Sequence, residues 1–577
     1  MPFSPELERR IRRLALTNAV EHEGTPRPGP ILSRLLGSTP ELRSDVPALE
    51  THVQGLLDEI ARLTPEERMA ELTALGGPEP SAVHVDRSVT GDLPPLVGAV
   101  DGQVVLRMAP FPSGGLHIGS ARMIFVNDYY RRRYHGKLLL VFDDTIGSEE
   151  KRVDPLFFEL IQKDLELAGA PPDAVYYKSD RLPLFYQWAR RVIDAGASYV
   201  CRCPAELLRE NRRAGIACAE RAQGVAETLA EWEKMLEGGY REGEAVLRLR
   251  TDLHDPDPAF RDRVLFRISE VEHPRVGRKY RVWPLLEFSW AVDDIELGVT
   301  HVVRGKDLVM EDRMQRYIWD LLQIRGPPFL HWGLLRLREA KISKSKSQQE
   351  VRSGLYDGWS DPRTWSLASL DRRGISMGAL RRFTLSFGIS LADIETPAET
   401  LYAENRQVID PISARRSVVL DAVRVEVDAF PADLRTVLLA NHPDLPELGT
   451  RTVPVGPEFW LARPDLLRHQ GAEIRLKDLV NIQLPREVPA EGDAPVRATF
   501  TSRENRRIPR VQWVSALGAV PVDILGTEGE HRMGLGEAEL LRSAVRQILQ
   551  FERVGFVRIE ADWTPGSVPV RACYGHP

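Results

Sequence analysis

Residues 104–144 read VVLRMAPFPSGGLHIGSARMIFVNDYYRRRYHGKLLLVFDD. An apolar run, Val104-Val105-Leu106, gives way to a turn punctuated by proline and glycine. Apolar residues at helical spacing follow and stop at Gly136, and a second apolar run extends from Leu138 to Phe142. The pattern is strand, glycine-rich loop, helix, strand: one βαβ unit of a parallel sheet. The loop joins a strand's carboxyl end to a helix's first turn, where unpaired backbone N–H groups and the positive end of the helix dipole favour phosphate. Gly114 and Gly115 let a ligand approach the backbone, and His117 and Ser120 add side-chain donors at the same place.

A glycine-rich turn of this kind occurs in many folds, and an isolated histidine is usually a structural hydrogen-bonder. A second stretch sharpens the reading. Ala340-Lys341-Ile342-Ser343-Lys344-Ser345-Lys346 follows an apolar run, Phe329 to Leu337, and puts two lysines on a serine-rich tether. His117-Ile118-Gly119-Ser120 followed by Lys341-Ile342-Ser343-Lys344-Ser345 resembles the paired signature of class I aminoacyl-tRNA synthetases. The stretch from Arg275 to Lys306 closely resembles the archaeal-type glutamyl-tRNA synthetases, and the likeness extends over essentially the whole chain.

Length and composition agree with a multidomain globular protein. A chain of 577 residues, 43% hydrophobic and 28% charged, is of ordinary globular composition and long enough for several domains. No apolar run approaches the roughly 20 residues of a membrane span, and the N-terminus has no signal-peptide pattern, so the expected location is the cytoplasm. Four cysteines do not make a disulfide framework. The net charge of −6 argues against a general nucleic-acid coat, though a tRNA enzyme depends on local basic faces.

The expected fold class is α/β: a Rossmann-type nucleotide-binding domain of the class I synthetase kind, split by an insertion. Residues 1–100 read as a helical N-terminal extension with helix starts at Ser38-Thr39-Pro40-Glu41 and Thr64-Pro65-Glu66-Glu67, a packing appendage without visible chemistry. Residues 101–200 are the first half of the catalytic domain. Residues 201–273 turn polar, arginine-rich and irregular; the resemblance makes them the insertion that grips the acceptor end of tRNA. Residues 274–350 complete the catalytic domain, 351–404 form a helical connector, and 405–577 alternate with period two between Pro/Gly turns. That alternation predicts β-barrels, which the resemblance makes the anticodon-binding region.

The resemblance also implies roles for single residues. Pro110, Gly114, Gly115, His117, Gly119, Ser120, Lys341, Ser343 and Lys344 would bind ATP, with magnesium alongside it. Among them His117, Ser120, Lys341 and Lys344 would stabilise charge as glutamate's carboxylate displaces pyrophosphate. Ser120 stands where most of the superfamily has a second histidine; a hydroxyl donates one hydrogen bond and carries no charge. Arg107 would face the amino-acid pocket, Asp143 would take the α-ammonium, and Arg304 would bind the γ-carboxylate. Leu286 falls where glutaminyl enzymes have a tyrosine that reads the amide. The anticodon candidates are Arg415, Arg416, Arg475, Lys477 and Trp513. Cys201, Cys203 and Cys218 suggest a zinc knuckle, but no fourth Cys or His follows Cys218 closely. Two readings stay open there: three thiolates with Glu220 or a water, and buried thiols of a domain without metal.

Glutamyl-tRNA synthetase is therefore the expected function, acting on tRNA(Glu) and also on tRNA(Gln), with an amidotransferase downstream. Activation of the amino acid is expected to need bound tRNA. A glutaminyl enzyme of the same fold is the nearest alternative, and Arg304 and Leu286 argue against it. A tRNA-binding protein without catalysis, or a small-molecule nucleotidyltransferase, is less consistent with the complete lysine signature and the C-terminal β region.

Overall fold

The computed structural model turns the apolar runs of the opening stretch into neighbouring parallel strands. β1 (Val105–Met108) pairs with β2 (Lys137–Phe142) in the register Val105 to Lys137, and β3 (Ala174–Tyr177) pairs with the other edge of β2. Between β1 and β2 the helix Ala121–Arg133 buries Ile124, Phe125 and Tyr130 in the core that also holds Leu106, Leu138 and Leu140. The return into β2 needs Gly136: a Cβ there would overlap the carbonyl oxygen of Val104. The helices Leu156–Leu167 and Leu182–Asp194 flank β3 in sequence.

The chain then leaves the parallel sheet. β4 (Ser198–Cys201), β5 (Val246–Leu249), β6 (Val264–Ile268) and β7 (Val282–Pro284) form an antiparallel sheet in chain order, with the helices Ala205–Ala214 and Val225–Leu236 between β4 and β5. This sheet reaches past both ends of residues 201–273. Its outer strands are fully buried and read like those of the parallel sheet, so polarity does not mark the edges.

The helix Leu286–Glu296 brings the chain back to β8 (Val302–Gly305), which pairs in parallel with β9 (Phe329–Trp332). Thr300 N donates to Val105 O at 3.0 Å and Val105 N donates to Thr300 Oγ1 at 2.9 Å, so the second parallel pair meets β1 at its open edge. Leu139, Val141, Val299 and Val302 pack together across this junction. The result is a split α/β layer with its strand carboxyl ends on one side, where ligands bind in such sheets.

After β9 come the helices Lys344–Arg352, Leu367–Arg372, Met377–Leu385 and Ala398–Ile409. Two seven-stranded sheets fill the C-terminal part. One includes Ala422–Asp428, whose exposure alternates along the strand as period-two patterning requires. The other joins Ala414–Arg416 and Val418–Leu420 to strands from Val520–Leu525 onward.

The residues described are 5–21, 28, 31–32, 35, 46–75, 92–145, 152–340, 344–492 and 494–577. They fall into two compact units, Met1–Thr90 and Gly91–Pro577. In the first, the helices Pro5–Glu21, Val46–Ala61 and Pro65–Ala74 share a core of Ile11, Leu14, Val53, Leu57 and Leu72. The expected start at Thr64 is a complete capping box: Glu67 N donates to Thr64 Oγ1 at 3.2 Å and Thr64 N to Glu67 Oε2 at 2.8 Å. The start expected at Ser38 to Glu41 lies outside the described residues. Among the described residues no helix is long and apolar enough to cross a membrane.

Gly136 gives this architecture a direct test. Gly136→Ala should lower the stability of the unit by about 1–3 kcal/mol through overpacking against Val104; an unchanged urea-unfolding midpoint would contradict the close approach.

Candidate active site

The carboxyl ends of the parallel strands bring together a buried cluster of charge. Arg107 comes from β1, Asp143 from the residue after β2, Lys178 from the residue after β3 and Arg304 from β8. All four are buried. The helix Leu286–Glu296 lays Trp290 among them: Arg107, Lys178 and Arg304 lie 4.9, 5.2 and 4.8 Å from its ring centroid. Each cation has its own carboxylate. Arg107 grips Asp294 through two nitrogens, Nη2 to Oδ2 at 3.0 Å. Lys178 donates to Asp143 Oδ1 at 2.8 Å and to Ser289 Oγ at 2.7 Å. Arg304 donates from Nε to Asp312 Oδ1 at 2.9 Å and from Nη2 to the same oxygen and to Gln315 Oε1 at 2.7 Å.

Burial acts on each cation and is balanced differently. It pulls the Arg107 guanidinium down, but the charge and hydrogen bonds of Asp294, with Asp293 and Asp143, hold it above its ordinary value. Burial keeps Lys178 below the usual lysine value against the pull of Asp143. Arg304 is also lowered, by burial and then by repulsion from Arg107. Its Nη1 is buried without a hydrogen-bond partner among the described residues. A buried donor without an acceptor is costly. Leu286, half-buried, opens the helix that carries Trp290.

The glycine-rich loop lies beside these strand ends. Pro110 O accepts from Asp143 N at 3.1 Å, and Gly114 and Gly115 are buried, the latter against Trp359. Residues 365–367 clamp the loop's far end: Ile118 N donates to Trp365 O at 3.0 Å and Leu367 N to Leu116 O at 2.9 Å. Leu116 N also donates to Asp164 Oδ2 at 2.8 Å. Trp365 holds its place in the left-handed region, φ 52°. His117 caps the turn Ile118–Ser120, its Nδ1 accepting from Gly119 N at 3.0 Å. A neutral ring bonded this way carries its proton on Nε2. A Cβ at Gly119 would sit 2.7 Å from His117 Cε1, so glycine here gives the imidazole its room. Ser120 is buried at the start of the helix Ala121–Arg133 and makes no side-chain cap.

Lys344 opens the helix Lys344–Arg352, where the sequence suggests a loop; Lys341 and Ser343 lie outside the described residues. This helix is tied back to the loop, because Arg352 Nη2 donates to Asp154 Oδ2 at 2.8 Å and Asp154 N donates to Pro112 O at 3.1 Å.

Four donors that could hold a cation meet on the antiparallel sheet. The ligand atoms of Cys201, Cys203, Cys218 and Glu220 all lie within 4.8 Å of one another. Burial raises the pKa of all three thiols, and Arg248 Nη1 lies 3.7 Å from Cys201 Sγ. Three sulfurs and one carboxylate give the four ligands a tetrahedral zinc ion takes, though structural zinc sites usually have a fourth Cys or His in place of the carboxylate. Beside them a groove of about 280 Å³ runs past Leu208, Arg209, Arg212 and Arg267 to Leu285. Burial and the neighbouring Arg248 and Arg209 hold Arg212 below its ordinary value.

The C-terminal candidates are largely engaged inside the protein. Trp513 is 2% exposed, packs edge-on against Phe459 and donates from Nε1 to Lys477 O at 2.8 Å. It has no open face for a base and is withdrawn as a stacking platform. Arg475 is buried and donates to Asn481 Oδ1 at 2.9 Å and Glu504 O at 3.0 Å. Arg416 is bonded to Asn441 Oδ1 at 2.9 Å and Arg415 to Asp410 Oδ1 at 2.7 Å. Lys477 pairs with Glu552 but keeps 40% of its side chain exposed.

Sequence reasoning missed Lys178, Ser289, Trp290, Asp294, Asp312 and Gln315. Two signals were available: Lys178 follows a parallel strand directly, and Asp293-Asp294 interrupts an apolar helix.

Trp513→Phe keeps an aromatic ring but loses part of the indole and its bond to Lys477 O. It should cost about 1 kcal/mol of stability, read as a lower urea midpoint of the barrel, and an unmoved midpoint would return the indole to the list of exposed groups.

The chain matches the family described as tRNA synthetases class I (E and Q), catalytic domain, over residues 103–411, and the family's anti-codon binding domain over residues 413–501. Among similar proteins, the glutamate–tRNA ligase of Thermococcus kodakarensis is 39% identical over 568 residues, covering 96% of this chain and 97% of that protein. The glutamate–tRNA ligase of Pyrococcus abyssi is 38% identical over 567 residues with the same coverage, and that of Methanocella arvoryzae is 38% identical over 579 residues, 99% of each chain.

Proposed function

The chain belongs to the class I tRNA synthetases for glutamate and glutamine and is an ATP-using glutamate–tRNA ligase, and we propose that Arg304 selects the amino acid by binding its γ-carboxylate. The observation that carries this reading is the buried Nη1 of Arg304 without an acceptor. A carboxylate oxygen supplies the acceptor in a charge-assisted bond. The carboxamide of glutamine brings no charge to a lowered, desolvated guanidinium, so glutamate is preferred. Arg107 lies over the same indole, and Asp143, sharing Oδ1 with Lys178, offers its carboxylate to the α-ammonium.

In the first step the substrate's α-carboxylate attacks the α-phosphorus of ATP and pyrophosphate leaves. His117, its proton on Nε2, donates to a phosphate oxygen as negative charge grows there. Ser120 and the first turn of Ala121–Arg133 add donors at the same end of the helix. Lys341, Ser343 and Lys344 would reach the triphosphate, with magnesium accompanying the nucleotide. In the second step a ribose hydroxyl of the tRNA's 3′-terminal adenosine attacks the mixed anhydride and AMP leaves. The groove along Arg209, Arg212 and Leu285 is suited to that strand: Arg209 and Arg212 have no ion pair among the described residues, and Leu285 precedes the helix bearing Trp290.

The archaeal likeness extends the reading to tRNA(Gln), with an amidotransferase converting that product, and to an enzyme working in the cytoplasm. Zinc held by Cys201, Cys203, Cys218 and Glu220 would fix the base of the insertion.

Aminoacylation with glutamate or glutamine on tRNA(Glu) and tRNA(Gln) tests the whole assignment: glutamate is expected on both tRNAs and glutamine on neither. Arg304→Gln should raise the KM for glutamate by about 10- to 100-fold, the value of one or two charge-assisted bonds; unchanged glutamate kinetics sink the γ-carboxylate role. Metal analysis of the purified protein should find zinc at about one per chain, lost in Cys203→Ser, and a metal-free wild type rejects the zinc site.

A further inference from the structure

Two arginine–carboxylate pairs lie in the buried cluster at the strand ends, and one neutral side chain joins them. Gln315 is fully buried on the helix Val309–Leu321, three residues after Asp312 and so on the same face. Its Oε1 accepts from Arg304 Nη2 at 2.7 Å, and its Nε2 donates to Asp294 Oδ2 at 2.7 Å. Asp294 is the carboxylate that holds Arg107. The amide can take only this orientation, because its oxygen faces a cation and its nitrogen an anion.

We propose that Gln315 is a positioning residue for amino-acid selection, one that sets the aim of Arg304 relative to Arg107. This rests on the reading of Arg304 as the γ-carboxylate ligand. A guanidinium is planar, so fixing Nε on Asp312 and Nη2 on Asp312 and Gln315 fixes the direction of Nη1, the nitrogen left without a partner. Through Asp294 the same amide is bonded to the holder of Arg107, whose guanidinium lies over the same indole as that of Arg304. Neither end of the link tolerates replacement. A hydrocarbon there removes the acceptor from Arg304 Nη2 and a donor from Asp294. A carboxylate there keeps the acceptor but faces Asp294 with like charge, and it draws Arg304 into a pair that competes with the substrate. Gln315 touches no reacting atom, so its effect belongs in the glutamate KM and in the preference for glutamate over glutamine.

The test compares Gln315→Leu, Gln315→Glu and Arg304→Gln in tRNA aminoacylation, with the KM for ATP as a control on an intact nucleotide site. Gln315→Leu should raise the glutamate KM about tenfold and lower the glutamate-to-glutamine preference by a similar factor, with kcat and the KM for ATP little changed. Gln315→Glu should raise the glutamate KM further while leaving glutamine, which carries no charge there, less affected. If Arg304→Gln leaves the glutamate KM unchanged, the γ-carboxylate reading falls and takes this proposal with it. If Arg304→Gln raises that KM while both Gln315 variants keep the wild-type KM and preference, the reading of Arg304 stands and the positioning role is overturned. A loss of kcat alone in the Gln315 variants also overturns it. Gln315→Glu retains the shape of the native side chain and decides the matter by itself should the leucine variant not fold.

Discussion

Three buried cations around one indole have to be neutralised before any substrate arrives. Leaving a buried guanidinium or ammonium without a counter-charge costs several kcal/mol, and Arg107, Lys178 and Arg304 are each given an aspartate. The cations come from strand ends, while Asp294 and Asp312 come from helices. The neutralised cluster therefore exists only when the helices Leu286–Glu296 and Val309–Leu321 dock against the parallel strands in one register. Trp319, on the second of these helices, donates from Nε1 to Ala291 O at 2.8 Å on the first, holding the two together. The charge network and the packing of the α/β layer are one constraint seen from two sides.

A similar economy orders the glycine-rich loop. Its backbone is bonded to residues 365–367 on one side and to Asp164 on another, and Asp154 joins it to the helix that begins at Lys344. The imidazole of His117 is bonded within its own turn, where Nδ1 accepts the N–H of Gly119. Rigid backbone with a locally fixed ring suits chemistry that depends on positioned donors more than on proton transfer. Ser120 fits this picture. It stands at a helix start, where the backbone N–H groups already supply positive potential.

The legibility of the sequence followed the range of the interactions. The βαβ unit was visible because periodicity and turn residues are local, and the capping box at Thr64 was visible for the same reason. Arg107, Asp143 and Arg304 could be named because the family resemblance implies roles for them, and the apolar runs beside them put them at strand ends. Their counter-charges could not, because Asp294 and Asp312 meet the arginines across 187 and 8 residues with no spacing rule to connect them. Gln315 was invisible: an amide in a helix carries no signal until its two neighbours are known. Trp513 misled for the converse reason, since a tryptophan beside arginines in a strand pattern looks like a base platform until its ring is found in the barrel's interior.

The arginines of this chain show why counting charge is a poor guide to a nucleic-acid surface. A guanidinium offers five donors in a plane, enough to close several backbone carbonyls at once. Arg250 donates to Arg221 O at 3.1 Å as well as to Gly196 O and Gln223 O; Arg475 closes residues 479 to 504; and Arg373 reaches Gly575 O at 2.8 Å from the connector. These side chains serve as internal braces and present little charge to solvent. The potential left for a phosphate backbone comes from those with no carboxylate or carbonyl partner among the described residues, such as Arg209 and Arg212 beside the groove. A net charge of −6 is then no obstacle to binding a polyanion, because the attraction depends on where unpaired cations are gathered rather than on how many the chain contains.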